Sequence, residues 1–563
     1  MKRVALFTLI ALACAGIARA TFHTNSAPEA SLAEFVPAGP SVYLEAKDFS
    51  SLLKDWESSK QKQLWIQSDN YEVFSRSRLF LRLKSAGEQF AIAAGFPPDT
   101  DLLSQIAGEH SVLALYDVGK LQFLYITYLP SARSMETKLW QTRAKFEPRK
   151  AGTADFYLRR DPESQREVAF AISGDYLLLA TREDLIAAAL DLMAGKQGRA
   201  LEGESWWASA TAAAGQPGDL RLLLDMKILV PNGYFRTYWV QQNITDLSQY
   251  SAAVSDLYRS GREYREERVL IRGKEPTHAS TPGGMAAVGD LSRLVPNAAG
   301  EYVATANPTN DACYELLTTK ILAPHSGRAP ASLFAPQIQL TSGTQGDSRD
   351  LETRIDQASA ATSGGSSGTE LKDLLMQNPV LASLQFQSSR TEAVGVFVRL
   401  HSTIVLTSSS DWNEPAVKSA IVAFVAPELT ASQLGVVWVQ KSGYLQLDGL
   451  WPLSVSVRGK YLVVSDDSSG MESVLAKFSN TPNIKPLEFY AGFNHDQVRP
   501  DFARFASMVD HPGGAGLSNR EPQFFSGNVG GLSSALADVS SEHVEVRSEP
   551  TAVRQTVIYE WAQ

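Results

Sequence analysis

The chain has 563 residues, of which 44% are hydrophobic and 20% charged, and a formal net charge of −9. This is the composition of folded protein, too long for a single hydrophobic core, and its acidic balance disfavours nucleic acid and anionic lipid as partners. With only Cys14 and Cys313 present, neither a disulfide framework nor a cysteine-based zinc site is available.

Residues 1–20 carry Lys2-Arg3, an apolar run from Val4 to Gly16, and Ala18-Arg19-Ala20 before Thr21. This pattern predicts a secretory signal peptide, the apolar run being shorter than the roughly 20 residues a membrane span needs. Lipoprotein anchoring at Cys14 is a minor alternative, disfavoured by Ala11 three positions earlier in place of the usual Leu. Cleavage would remove Lys2, Arg3 and Arg19 and no acid, taking the net charge to about −12 and strengthening the case against polyanionic partners. Residues 21–32 read as a polar leader.

Val36-Pro37 opens the folded part, followed by a short strand at Val42-Tyr43-Leu44. A helix capped by Asp48 comes next, with Phe49, Leu52, Leu53 and Trp56 at helical spacing. Residues 57–100 read as mostly helical. Val112 to Tyr116 and Leu121 to Leu129 form a hairpin around Asp117-Val118-Gly119-Lys120, and one helix then carries Met135, Leu139 and Trp140.

From Val168 to Met193 an alternating run, a Gly174-Asp175 turn, the apolar run Tyr176 to Leu179 and a helical stripe follow one another. Thr181 and Asp184 stand at capping-box spacing before the stripe. At a constant offset the pattern returns as Leu453 to Val457, Gly459-Lys460, Tyr461 to Val464 and a helix with Ser469 and Glu472 at its start. Glycine at both turns predicts a positive φ, and the change from Asp175 to Lys460 predicts a solvent-facing position. Val295-Pro296 with Tyr302-Val303 repeats the opening. Leu487, Phe489 and Ala491 echo the Leu220, Leu222 and Leu224 strand, and Leu532 to Val539 aligns with Tyr250 to Leu257.

The expected fold class is α+β: two tandem duplicated domains, each an antiparallel or mixed sheet with helices mainly on one face. Residues 33–275 and 290–563 are the expected domains, joined by a linker at 276–289, with a flexible insertion near 341–370 rich in Ser, Gly and Thr. The leader, the Val-Pro opening, the short strand before a helix rich in Leu and Trp, and the two-half layout resemble exported bacterial proteins grouped as domains of unknown function. That resemblance implies a periplasmic or otherwise extracytoplasmic location and no assigned activity.

Chemical motifs are few. Gly364-Gly365-Ser366-Ser367-Gly368 matches a nucleophile elbow in letters, but polar residues precede it where a strand is required. Ser51-Leu52-Leu53-Lys54, Ser68-Asp69-Asn70 and Lys441-Ser442-Gly443 spell a penicillin-binding set at spacings unsuited to that fold. None of the eight histidines stands near another, and Asp466-Asp467 read as capping residues before a helix. Trp56, Trp140, Trp239 and Trp561 fall in phase with apolar neighbours and are expected in the core. Trp206, Trp207 and Trp412 are the expected exposed contacts. Asn243-Ile244-Thr245 is a sequon by pattern alone. Cys313 is expected buried on the helix after the Tyr302 strand.

No catalytic, cofactor-binding or metal residues are therefore assigned, and no cofactor is expected. Two functions stay open: a non-catalytic exported protein that binds an envelope partner or ligand, and an envelope hydrolase whose site is assembled from distant segments.

Overall fold

The computed structural model describes residues 31–67, 69–238, 247–274, 280–322, 367–391, 398–430, 437–448, 453–479, 485–500 and 539–561. The expected signal peptide, Asn243, and the insertion from 341 to 366 lie outside the described residues. The chain is a mixture of helices and antiparallel sheet. No helix among the described residues is long and apolar enough to cross a membrane.

The first strands are β1 (Val42–Ala46), β2 (Ser111–Asp117), β3 (Gln122–Tyr128), β4 (Glu147–Ala151), β5 (Ala154–Arg160), β6 (Glu167–Ser173), β7 (Tyr176–Ala180), β8 (Leu220–Asp225), β9 (Tyr250–Arg259) and β10 (Glu263–Arg272). Next come β11 (Glu301–Ala306), β12 (Val380–Thr391), β13 (Val398–Ser408), β14 (Val437–Gln440), β15 (Leu445–Asp448), β16 (Leu453–Arg458), β17 (Tyr461–Ser465) and β18 (Phe489–Asn494). The last two are β19 (Val539–Ser548) and β20 (Ala552–Trp561).

Two compact units divide the chain. In the first, antiparallel ladders run in the order β4-β5-β6-β7-β3-β2-β1-β8-β9-β10-β20. In the second the order is β14-β15-β16-β17-β13-β12-β11-β18. The C-terminal strand therefore lies outside the second unit: β20 pairs along β10 from Glu263↔Glu560 to Ile271↔Ala552. An apolar-alternating strand shows that it is a strand, but not which edge it will join. Leu532 to Asp538, matched in sequence to residues of β9, lie outside the described residues.

Helices pack on both faces of each sheet, correcting the expectation of one covered face. In the first unit one face packs Leu32, Ile186, Leu190, Trp206 and Trp207 against Tyr43, Ala114, Leu124, Ile126 and Leu178. The other packs Ala93, Phe96, Leu102, Ile106 and Leu139 against Tyr125, Phe170, Leu177 and Leu179. In the second unit Val288, Leu291, Met471 and Val474 lie on one face, with Cys313, Leu317, Leu374, Trp412 and Ile421 on the other. The unbroken apolar runs at β7 and β17 carry that information, since consecutive buried strand residues require cover on both sides.

The glycine turns adopt the expected left-handed conformation, with φ of +57° at Gly174 and +56° at Gly459. Local detail departs from the sequence reading. Thr181 does not cap the Glu183–Met193 helix; its hydroxyl accepts the Phe123 N–H at 2.9 Å, and Arg182 sits at the N-cap without capping the helix through its side chain. Asp467 caps Ser468–Lys477 in keeping with the reading of Asp466-Asp467, accepting from Gly470 N at 2.9 Å, so the cap assigned to Ser469 is not formed. Asp175 is engaged, its Oδ1 accepting the Ser131 N–H at 3.1 Å at the start of Ser131–Glu136. The single helix expected around Met135 and Trp140 breaks at Thr137 into Ser131–Glu136 and Lys138–Gln141.

Candidate functional site

A cavity of about 960 Å³ lies in the first unit, between the strand face of β1, β2 and β3 and the helices Phe49–Ser58, Arg78–Ala94 and Thr100–Ile106. It is near the upper end of the roughly 300–1,000 Å³ common for small-molecule sites. The strand period builds its floor. Leu44 and Ala46 on β1, Ser111, Leu113 and Leu115 on β2, and Phe123 and Tyr125 on β3 all project from one face. The register sets Leu44 beside Leu113, Leu113 beside Tyr125, and Leu115 beside Phe123.

The roof is set by where two helices start and stop. Ser77 Oγ accepts from Phe80 N to begin Arg78–Ala94, and Gly95 closes it at φ +82°. Asp99 Oδ1 accepts from Leu102 N at 2.9 Å and begins Thr100–Ile106 after Pro97-Pro98. These helices turn Leu83, Ala86, Phe90, Leu102 and Ile106 toward the cavity. Leu83 and Leu103, 41% and 37% exposed, border its opening.

The two ends differ in chemistry. At the Ala46 and Ser111 end, polar atoms satisfy one another: Tyr125 OH donates to Ile106 O at 2.9 Å, and the Ser111 and Thr127 hydroxyls lie 2.6 Å apart. Burial pushes the Tyr125 phenol above its usual range, keeping that end neutral. The opposite end, at the β2–β3 turn, carries Lys120, Gln122, Ser164, Gln165, Arg166, Glu167, Arg182 and Asp184. Arg182 pairs in fork geometry with Asp184, its Nε donating at 2.9 Å, while Glu167 pairs with Arg160. Arg166 Nη1 donates to the Lys120 carbonyl at 2.9 Å, tying the β5–β6 turn to the β2–β3 turn. Leu121 and Gln165, in those two turns, have φ of +50° and +57°, a conformation that non-glycine residues seldom adopt and that recurs at functional sites.

The sequence shows the β2–β3 hairpin, the helix after β1 and a mostly helical stretch at 57–100, but neither the Thr100–Ile106 helix nor the cavity, which depends on which strand face the helices cover. The tryptophans chosen as exposed contacts are buried: Trp206 and Trp207 pack in the core, and Trp412 donates from Nε1 to Lys460 O at 3.0 Å. Trp207 stands edge-on to Tyr43 with ring centres 4.6 Å apart. Cys313 is fully buried on Asn310–Leu317, where burial raises its thiol to about 12.

Ser51 and Lys54 belong to the first unit and Lys441 to the second, while Ser366 lies outside the described residues. His110 Nε2 meets Glu45 Oε1 at 2.7 Å, and His401 Nδ1 stands 3.5 Å from Asp466, whose Oδ1 also accepts the Ser402 N–H. Among the described residues no three His, Cys, Asp or Glu side chains converge as a metal site.

No family model matches this chain. No curated protein matches it either. Among solved structures it is similar to crystal form I of TP0453, at 10% identity and a TM-score of 0.25, over 45% of this chain and 82% of that one. Crystal form III of TP0453 gives 12% identity and a TM-score of 0.24 over 48% and 89% of the two chains, and a likeness at this level carries no argument.

Proposed function

We propose that this is an exported, non-catalytic binding protein whose first unit holds an apolar or amphiphilic small molecule. The carrying observation is the 960 Å³ cavity, apolar at its inner end with the buried hydroxyls there already paired. A hydrocarbon moved into it from water is stabilised by about 0.8 kcal/mol per methylene. Export rests on the Ala18-Arg19-Ala20 segment, and N-terminal sequencing of the secreted product should begin at Thr21. The chain is further taken as two copies of one fold. Support comes from the repeated Val168–Met193 pattern, the like φ values of Gly174 and Gly459, and strand orders that correspond from β1 with β11 to β8 with β18.

The test is saturable binding of an environment-sensitive apolar dye, displaced by dodecanol. Leu113→Trp, which fills the cavity floor, should weaken both by about tenfold or more. Absence of saturable binding, or binding indifferent to Leu113→Trp in a protein that still folds, would sink this reading.

A further inference from the structure

We infer that the ligand is an amphiphile with an anionic head, a carboxylate or phosphate, and that Arg166 is the residue that selects it. This rests on the reading of the cavity as a ligand site.

The cavity follows β2 from Ser111 to the Asp117 turn, a run of roughly 20 Å at the rise of an antiparallel strand. Its apolar end is lined by Ala46, Phe49, Ile106 and Leu220, and its polar end gathers the charged side chains. A molecule lying along it therefore has one orientation available: hydrocarbon inward, head at the β2–β3 turn.

The charges at that turn are unequal. The carboxylates of Asp184 and Glu167 are committed to Arg182 and Arg160, and Glu167 also accepts the Glu183 N–H at 2.8 Å. Arg166 is half-buried, its bond to the Lys120 carbonyl leaves most of its donors over, and among the described residues it forms no ion pair with a carboxylate. Lys120, 75% exposed, is 4.0 Å from Asp117 and adds a second cation to the rim. Among the charged side chains that line this end, Lys120, Arg166 and Arg182 outnumber Glu167 and Asp184. A planar guanidinium with spare donors suits a carboxylate or phosphate oxygen pair and offers nothing to a cationic head. The left-handed Leu121 and Gln165 flank the same spot, so the turn backbones are held in a shape that brings Arg166 and Lys120 to the cavity end.

The experiment compares dodecanoate, dodecyl phosphate, dodecanol and dodecyltrimethylammonium, each below its micelle-forming concentration, on the full chain and on Arg166→Gln and Arg166→Lys. Both anions should bind at least about tenfold more tightly than dodecanol, with affinity falling as salt rises. Arg166→Gln should erase that advantage and leave dodecanol within about twofold of wild type, whereas Arg166→Lys should keep part of it. A difference between dodecanoate and dodecyl phosphate would identify which anionic head the site prefers. Equal affinity for dodecanoate, dodecyl phosphate and dodecanol, unchanged by Arg166→Gln, would overturn head-group selection while the cavity reading stood. Failure of every amphiphile to bind would overturn both.

Discussion

At the scale of single residues, the backbone and buried charge set the largest effects. Gly174 has open space where a Cβ would be built, so the cost of Gly174→Val comes from its left-handed φ alone, about 1–3 kcal/mol by denaturant unfolding. Asp175→Lys, which the swap to Lys460 suggested would be silent, removes the acceptor for Ser131 N and should cost about 0.5–1 kcal/mol. Asp256 holds Arg221 by paired bonds of 2.7 and 2.8 Å and also accepts the Gly218 N–H, with both side chains buried. Asp256→Ala leaves a guanidinium buried without its counter-ion and should destabilise by about 3–5 kcal/mol.

Asp225 gives the opposite sign. Burial raises its pKa although it caps Met226–Leu229, accepting from Lys227 N at 2.9 Å. A raised folded-state pKa means that folding strength is lost as pH climbs from the unfolded to the folded value. Asp225→Asn keeps a cap without that loss, so its Tm should exceed wild type near neutral pH and the gain should vanish in acid.

At the scale of elements, the edge strands differ in how they resist pairing. β4 is Glu-Pro-Arg-Lys-Ala, with charge and a proline against strand addition, whereas β14 is Val-Trp-Val-Gln with Val437 59% exposed. Val437→Lys should slow aggregation at high concentration, measured by light scattering, with little change in Tm. The Arg78–Ala94 helix needs its Ser77 cap because Leu81 and Ile92 on its surface are 54% and 60% exposed and contribute little burial. Ser77→Ala should lower stability by about 1 kcal/mol and speed amide exchange in the first turn of the cavity roof.

At the scale of the whole molecule, the C-terminus completes the first unit. β20 hydrogen-bonds along the whole of β10, and Arg554 Nη1 reaches the Ala213 carbonyl at 2.8 Å. Removing residues 552–563 should expose the β10 edge, lower the stability of the first unit and promote self-association seen by light scattering. A sequential division of the chain predicts instead that this truncation spares the first unit.

The sequence alone determined what local period and backbone chemistry control. The β2–β3 and β6–β7 hairpins, the glycine turns, the helix rich in Leu and Trp after β1 and the burial of Cys313 were all legible, because alternation, positive φ and helical spacing act over a few residues. Tertiary structure decided the rest. In β8 the leucines at 220, 222 and 224 are only half-buried, while Arg221, Leu223 and Asp225 are buried, since Asp256 on the neighbouring strand neutralises Arg221. Trp206 and Trp207 entered the core because Tyr43 and the β9 face lay opposite. The cavity, the placing of Arg166 at its end and the placement of β20 each depend on segments far apart in the chain, and no local pattern encodes which edge or face such segments meet.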